Sequence, residues 1–109
     1  MIISDYALEI KQSGFSVYEQ TYIKPIAEVE HFLPAYIEYL DKYYKSGHFI
    51  MSGRKEPRTG GMIVAQAESL EELTQIYNTD PFFINNIASF NVTYFVPSKW
   101  AEQMNSYLS

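Results

Sequence analysis

The chain contains no cysteine, which excludes disulfides, thiolate metal centres and a cysteine nucleophile. Histidine is almost as scarce. His31 and His48 are the only two, too few to supply the three or four converging donors of a typical metal site, so no metal or cofactor is expected. Basic residues number 8 against 13 acidic, a net charge of −5. That balance repels phosphate backbones and anionic lipid, so neither nucleic acid nor membrane is expected as a partner. No apolar run approaches the roughly 20 residues of a membrane span. The opening MIISDYALEIK lacks the basic start and long apolar core of a secretory leader, which makes the cytoplasm the expected location. Repeats, linkers and low-complexity tracts are also missing, so residues 1–109 read as a single domain.

Aromatic rings are abundant. Ten Tyr, seven Phe and one Trp make 17% of the chain, within a hydrophobic fraction of 47%. A domain this small has little interior. Some of those rings are expected in a pocket or a subunit contact, where an apolar body with a polar tip is favoured.

Residues 1–14 fit a strand (Tyr6, Leu8, Ile10) and a helix (Ile3, Tyr6, Ile10) equally well. Ser16 to Lys24 alternates and is rich in β-branched and aromatic residues, which predicts a strand ended by Pro25. An acidic turn with Glu28 and Glu30 follows. Pro34 then opens a helix, at a position where its missing N–H costs nothing. The spacing puts Leu33, Ile37, Leu40 and Tyr44 on its buried stripe, and Gly47 ends it.

Phe49 to Ser52 predicts a buried strand, with Met62 to Ala67 as its neighbour across a basic loop over 53–61. Ser69-Leu70-Glu71-Glu72 is a capping box for a helix running through Leu73, Ile76 and Tyr77 to about Asn78. Residues 88–96 alternate as a strand. Ser98 is read as the cap of a last amphipathic helix, over 97–109, carrying Trp100, Met104 and Leu108.

The order strand, helix, strand, strand, helix, strand predicts an α+β domain of the ferredoxin-like, split βαβ kind (β-α-β-β-α-β). Both helices fall on one sheet face. The other face is left bare and aromatic-studded, and a homodimer with the two open faces together, a dimeric α/β barrel, is the expected way to cover it.

With this order go four short motifs: Pro34-Ala35-x-Ile37-x-x-Leu40, Gly47-x-Phe49-Ile50-x-Ser52-Gly53, Pro57-Arg58-Thr59-Gly60-Gly61 and Asp80-Pro81-Phe82. In register over about residues 15–96, they resemble the YciI-like (YCII-related) family. The resemblance leaves 1–14 as an N-terminal extension and implies a dimeric α/β-barrel fold related to muconolactone isomerases. It also implies a cleft where a helix His and the Asp of the Asp-Pro-Phe turn form an acid/base pair. The family's Pro-Ala-His is Pro34-Ala35-Tyr36 here, so its His falls on Tyr36. A phenol titrates near about 10 and is a poor base at neutral pH.

The resemblance thus points to Asp80 and Tyr36 as the catalytic pair. Asp80 is either a carboxylate poised in the cleft or a turn residue binding local amides. Tyr36 either donates to a developing oxyanion or is one more ring at the helix–sheet seam. Arg54, Lys55 and Arg58 place three of the eight cations in five positions beside Gly60-Gly61. They read as an anion clamp using guanidinium geometry and loop amides, or as a solvated hairpin. Arg54, Arg58 and Ser52 are the expected substrate-binding groups. Ser52 has no His near it in sequence, so no hydrolytic triad is read. Two functions fit: a small-metabolite enzyme, or relic of one, acting on a small anion, or a non-catalytic homodimeric binding module.

Overall fold

A computed structural model describes residues 14–108. The strand-or-helix question for the N-terminal extension lies outside the described residues. Strand β1 (Gly14–Tyr22) leads through Pro25 into helix α1 (Ile26–His31) and then helix α2 (Leu33–Lys45). Strands β2 (Phe49–Arg54) and β3 (Gly60–Ala67) form a hairpin. Helix α3 (Leu70–Tyr77), the four-residue helix α4 (Pro81–Ile84) and strand β4 (Ala88–Phe95) follow. The four strands make one antiparallel sheet in the order β2-β3-β1-β4, which is the ferredoxin-like topology.

Several boundaries differ from the sequence reading, each for a local reason. The acidic turn after Pro25 is helical: Glu28 N and Val29 N both donate to the Pro25 carbonyl, and Val29 is completely buried. The basic loop shrinks to residues 55–59, because Gly53, Arg54, Gly60 and Gly61 all belong to strands. On α2 the buried stripe is rotated from the expected one. Tyr36 and Tyr39 face the sheet, whereas Ile37 and Tyr44 are exposed.

The Ser69 cap forms, its Oγ accepting from Glu72 N at 3.1 Å. The reciprocal half of the box does not, since the Glu72 carboxylate accepts from His48 Nε2 at 2.8 Å instead. Ser98 starts no helix. The chain stays irregular to Ala101, then makes a 3-10 turn (Glu102–Met104) and helix α5 (Asn105–Leu108), with Trp100 Nε1 donating to Asn105 Oδ1.

Most of the described rings pack under the helices rather than on the open face. Tyr18 of β1 lies stacked between Tyr77 and Phe90, with centroids at 3.9 and 5.1 Å. Tyr36 stacks on Phe82 at 4.2 Å, and Phe49 is ringed by Tyr39, Tyr43 and Tyr44. Such pairs add about 0.5–1.5 kcal/mol each beyond their burial. By strand register the open face carries Val17, Val64, Met51, Met62 and Thr93, with Phe15 and Phe95 as its rings. It is apolar at the centre, but it is not aromatic-studded.

Candidate functional site

Period-two alternation in β1 turns Ser16, Tyr18, Gln20 and Tyr22 toward the helices, and three of these four are buried. Opposite Gln20 in the register stands Gly61. A Cβ there would lie 2.9 Å from Gln20 Oε1, so the missing side chain makes room for the glutamine amide. Gly60 pairs with Thr21 and lies against the Gln20 backbone. The Gly-Gly step therefore serves the packing of β1, and its amides belong to a sheet rather than to a loop.

Asp80 is fully buried. Its Oδ1 caps α4 by accepting from Phe82 N at 2.8 Å, with Pro81 as the first helical residue. Its Oδ2 accepts from Tyr18 OH at 2.9 Å and from Gln20 Nε2 at 2.8 Å. Gln20 Oε1 in turn accepts from Tyr36 OH at 3.1 Å. A chain of hydrogen bonds thus runs from Tyr36 through Gln20 to a carboxylate behind it.

Burial pushes the Asp80 carboxyl above the usual carboxylate range, against the opposing effect of the Phe82 amide, Tyr18 and Gln20. Burial, and then the Asp80 charge, push the Tyr36 phenol far above its ordinary value, only partly offset by its bond to Gln20. Tyr18 is raised for the same two leading reasons. Both phenols are neutral at physiological pH, and Tyr36 is a weaker acid than free tyrosine.

In front of this chain opens a cavity of about 430 Å³. Gln20 and Tyr36 form its buried wall, and Tyr22, Leu33 and Leu40 add apolar surface. Ser52, Arg54, Arg58 and Glu30 also line it. The Arg58 guanidinium stands 4.0 Å from Glu30, and Ser52 Oγ is within 2.6 Å of Tyr44 OH. Asp80 is not part of the lining: Gln20 stands between it and Tyr36.

The other sequence candidates lie elsewhere. Lys55 is bound on the opposite sheet face, its Nζ 2.8 Å from both Glu19 Oε2 and Thr21 Oγ1. His31 is exposed, edge-on to Phe32. His48 bridges Ser46 Oγ and Glu72, tying the end of α2 to the start of α3. Among the described residues no three His, Asp or Glu side chains converge as metal ligands.

Sequence reasoning missed Gln20 and Tyr18. The available signal was the alternation of β1, whose helix-facing side carries four polar-tipped residues where a buried strand normally carries aliphatics.

Fold and cavity together define a ferredoxin-like α+β domain with a polar-walled cleft between sheet and α2. Solved structures that share this fold include the following three. One is 5-chloro-2-hydroxyhydroquinone dehydrochlorinase from Burkholderia phenoliruptrix, in complex with 2,5-dihydroxybenzoquinone. It has a TM-score of 0.62 and 17% identity over 81% of this chain and 93% of that one. A conserved protein from Methanosarcina mazei has a TM-score of 0.55 and 13% identity over 84% and 99%. A mutant of SnoaB, a cofactor-independent oxygenase from Streptomyces nogalater, has a TM-score of 0.50 and 10% identity over 83% and 97%. No curated protein shows a significant match to the sequence. The chain belongs to the YCII-related domain family, whose model matches residues 6–96 and so reaches into the segment read as an extension. None of its helices among the described residues is long and apolar enough to cross a membrane.

Proposed function

We propose that the cavity binds a small anionic metabolite, and that the protein is an enzyme relic in which the cleft has outlasted the family's acid/base pair. The observation that carries this reading is the Tyr36–Gln20–Asp80 chain. Where the resemblance puts a His beside an Asp, this protein has a phenol with a raised pKa and an amide that neither gives nor takes a proton. The wall orients a ligand, while Arg54 and Arg58 supply the charge that holds an anion. In this reading Asp80 positions Gln20 and does not meet the ligand. Two of the neighbours are enzymes, a dehydrochlorinase and an oxygenase, which fits descent from a catalyst.

A thermal-shift screen of small carboxylates and phosphates tests it, because a native-state ligand raises the melting temperature by mass action. Arg58→Ala is expected to weaken the best hit about ten-fold or more, as loss of a charge-assisted contact does. Glu30→Gln is expected to tighten it about two- to five-fold by releasing Arg58 from a half-exposed pair. A panel without a hit, or a hit indifferent to both substitutions, overturns the reading.

We further propose that two copies pair through the open sheet face. Met51 there is 57% exposed and Phe95 46%, and both flank the apolar Val17–Val64 centre. Sedimentation equilibrium at micromolar concentration is expected to give twice the subunit mass, falling to one subunit in a Met51→Glu, Met62→Glu double variant. A well-folded lone wild-type subunit rejects the dimer.

A further inference from the structure

The hydrogen bonds behind the cavity have a direction, and Asp80 sets it. An ionised carboxylate only accepts. One of its oxygens is occupied by the Phe82 amide and the other takes two donors, so Gln20 must turn its NH₂ toward Asp80. The opposite amide orientation would set a carbonyl oxygen against a carboxylate. Gln20 Oε1 therefore faces Tyr36, in space left open by Gly61, and takes the one hydrogen that the phenol carries. Among the described residues no donor reaches the Tyr36 oxygen.

We propose that Asp80, acting through Gln20, fixes the buried wall of the cavity as a hydrogen-bond acceptor, so that the cleft selects anions that also carry a hydroxyl or N–H donor. This rests on the ligand-binding reading above and names its ligand class. The cavity lining combines cationic donors at Arg54 and Arg58, the latter beside Glu30, with an acceptor at Tyr36. A ligand that offers a carbonyl at the Tyr36 end sets two acceptors face to face. One that offers a hydroxyl completes the chain. Tyr36 is thus no oxyanion donor, because its hydrogen is already engaged.

Two probes that differ only at this end decide the matter: 4-hydroxycyclohexanecarboxylate and 4-oxocyclohexanecarboxylate. Both present the same carboxylate to the arginines, and only the first can donate at the far end. Titration calorimetry on the wild type is expected to show the hydroxy acid binding about ten-fold more tightly, the usual consequence of leaving a buried acceptor unpaired.

Asp80→Asn is expected to erase that preference. The Asn oxygen still caps Phe82 N, so its NH₂ takes the place of Oδ2 and donates. Gln20 then turns over to accept, its own NH₂ meets the Tyr36 oxygen, and the Tyr36 hydrogen swings into the cavity. Both probes should then bind within about two-fold of each other. Tyr36→Phe, which keeps the ring stacked on Phe82, should also lose the preference and guards against a misfolded Asn variant.

Equal binding of both probes to the wild type overturns the polarity assignment and leaves the binding reading standing. So does a preference that survives either substitution. If neither probe binds at millimolar concentration, the polarity assignment falls, and the binding reading falls with it only if the carboxylate and phosphate panel also gives no hit.

Discussion

Gly60→Ala is expected to destabilise the fold by about 3 kcal/mol or more, read as a drop in the urea midpoint. The Cβ of an alanine there would land on the carbonyl oxygen of Gln20 and close against the Thr21 backbone, in the strand paired with it. Backbone cannot step aside as a flexible side chain can. Either β1 and β3 separate or the ladder bends, and overpacking of this kind costs at the upper end of the usual range. Gly61→Ala is a useful contrast. Its Cβ meets the tip of the Gln20 side chain and the Gly53 carbonyl at longer distance. It should cost less stability while displacing the amide on which the cavity wall depends. Equal midpoints for wild type and Gly60→Ala would show that the β1–β3 spacing described above is wrong.

The second large effect is expected at Asp80. Alanine there strands three buried donors at once: the Phe82 amide, the Tyr18 hydroxyl and the Gln20 amide. At about 1–3 kcal/mol for each orphaned group, with partial relaxation, the loss should reach about 3–5 kcal/mol. Asparagine should be far milder, because it still caps α4. The pH dependence separates the two states of the carboxyl. Burial holds its pKa above the ordinary value, so the folded protein keeps this proton to higher pH than the unfolded chain does. Below about pH 4 both states are protonated. As pH rises from there to the raised value, the unfolded chain releases its proton first and the folded state loses stability. The wild type minus Asp80→Asn difference in unfolding free energy should therefore decline over that interval and level off above it. A difference that grows with pH would mean that the three donors outweigh desolvation.

Most of the architecture was legible from the chain alone, because hydrophobic alternation, Pro34, Gly47 and the Ser69 cap are local signals obeyed locally. The element order sufficed for the sheet topology. What could not be read was rotation. Ile37 and Tyr36 are neighbours on α2, and an aliphatic-first rule buries the wrong one. The tyrosines win because each has a polar end that finds a partner: Tyr36 bonds Gln20 and Tyr39 bonds the Ile76 carbonyl. The candidate site was half legible. Tyr36, Ser52, Arg54 and Arg58 do surround one cavity. Asp80 follows the turn reading, as the cap of α4, and its carboxylate lies behind the cavity wall rather than in the cleft. The alternation of β1 flags Gln20 only as one of four polar-tipped residues, and nothing in a strand marks one glutamine as the link between groups that stand 16 and 60 positions away.

Trp100, the chain's single indole, sits 39% exposed on the segment after β4 and bonds its near neighbour Asn105. The interior is lit instead by stacked tyrosines. Indole emission from this protein is consequently a reporter of its tail, and optical signals from the phenols are the ones that track the heart of the molecule.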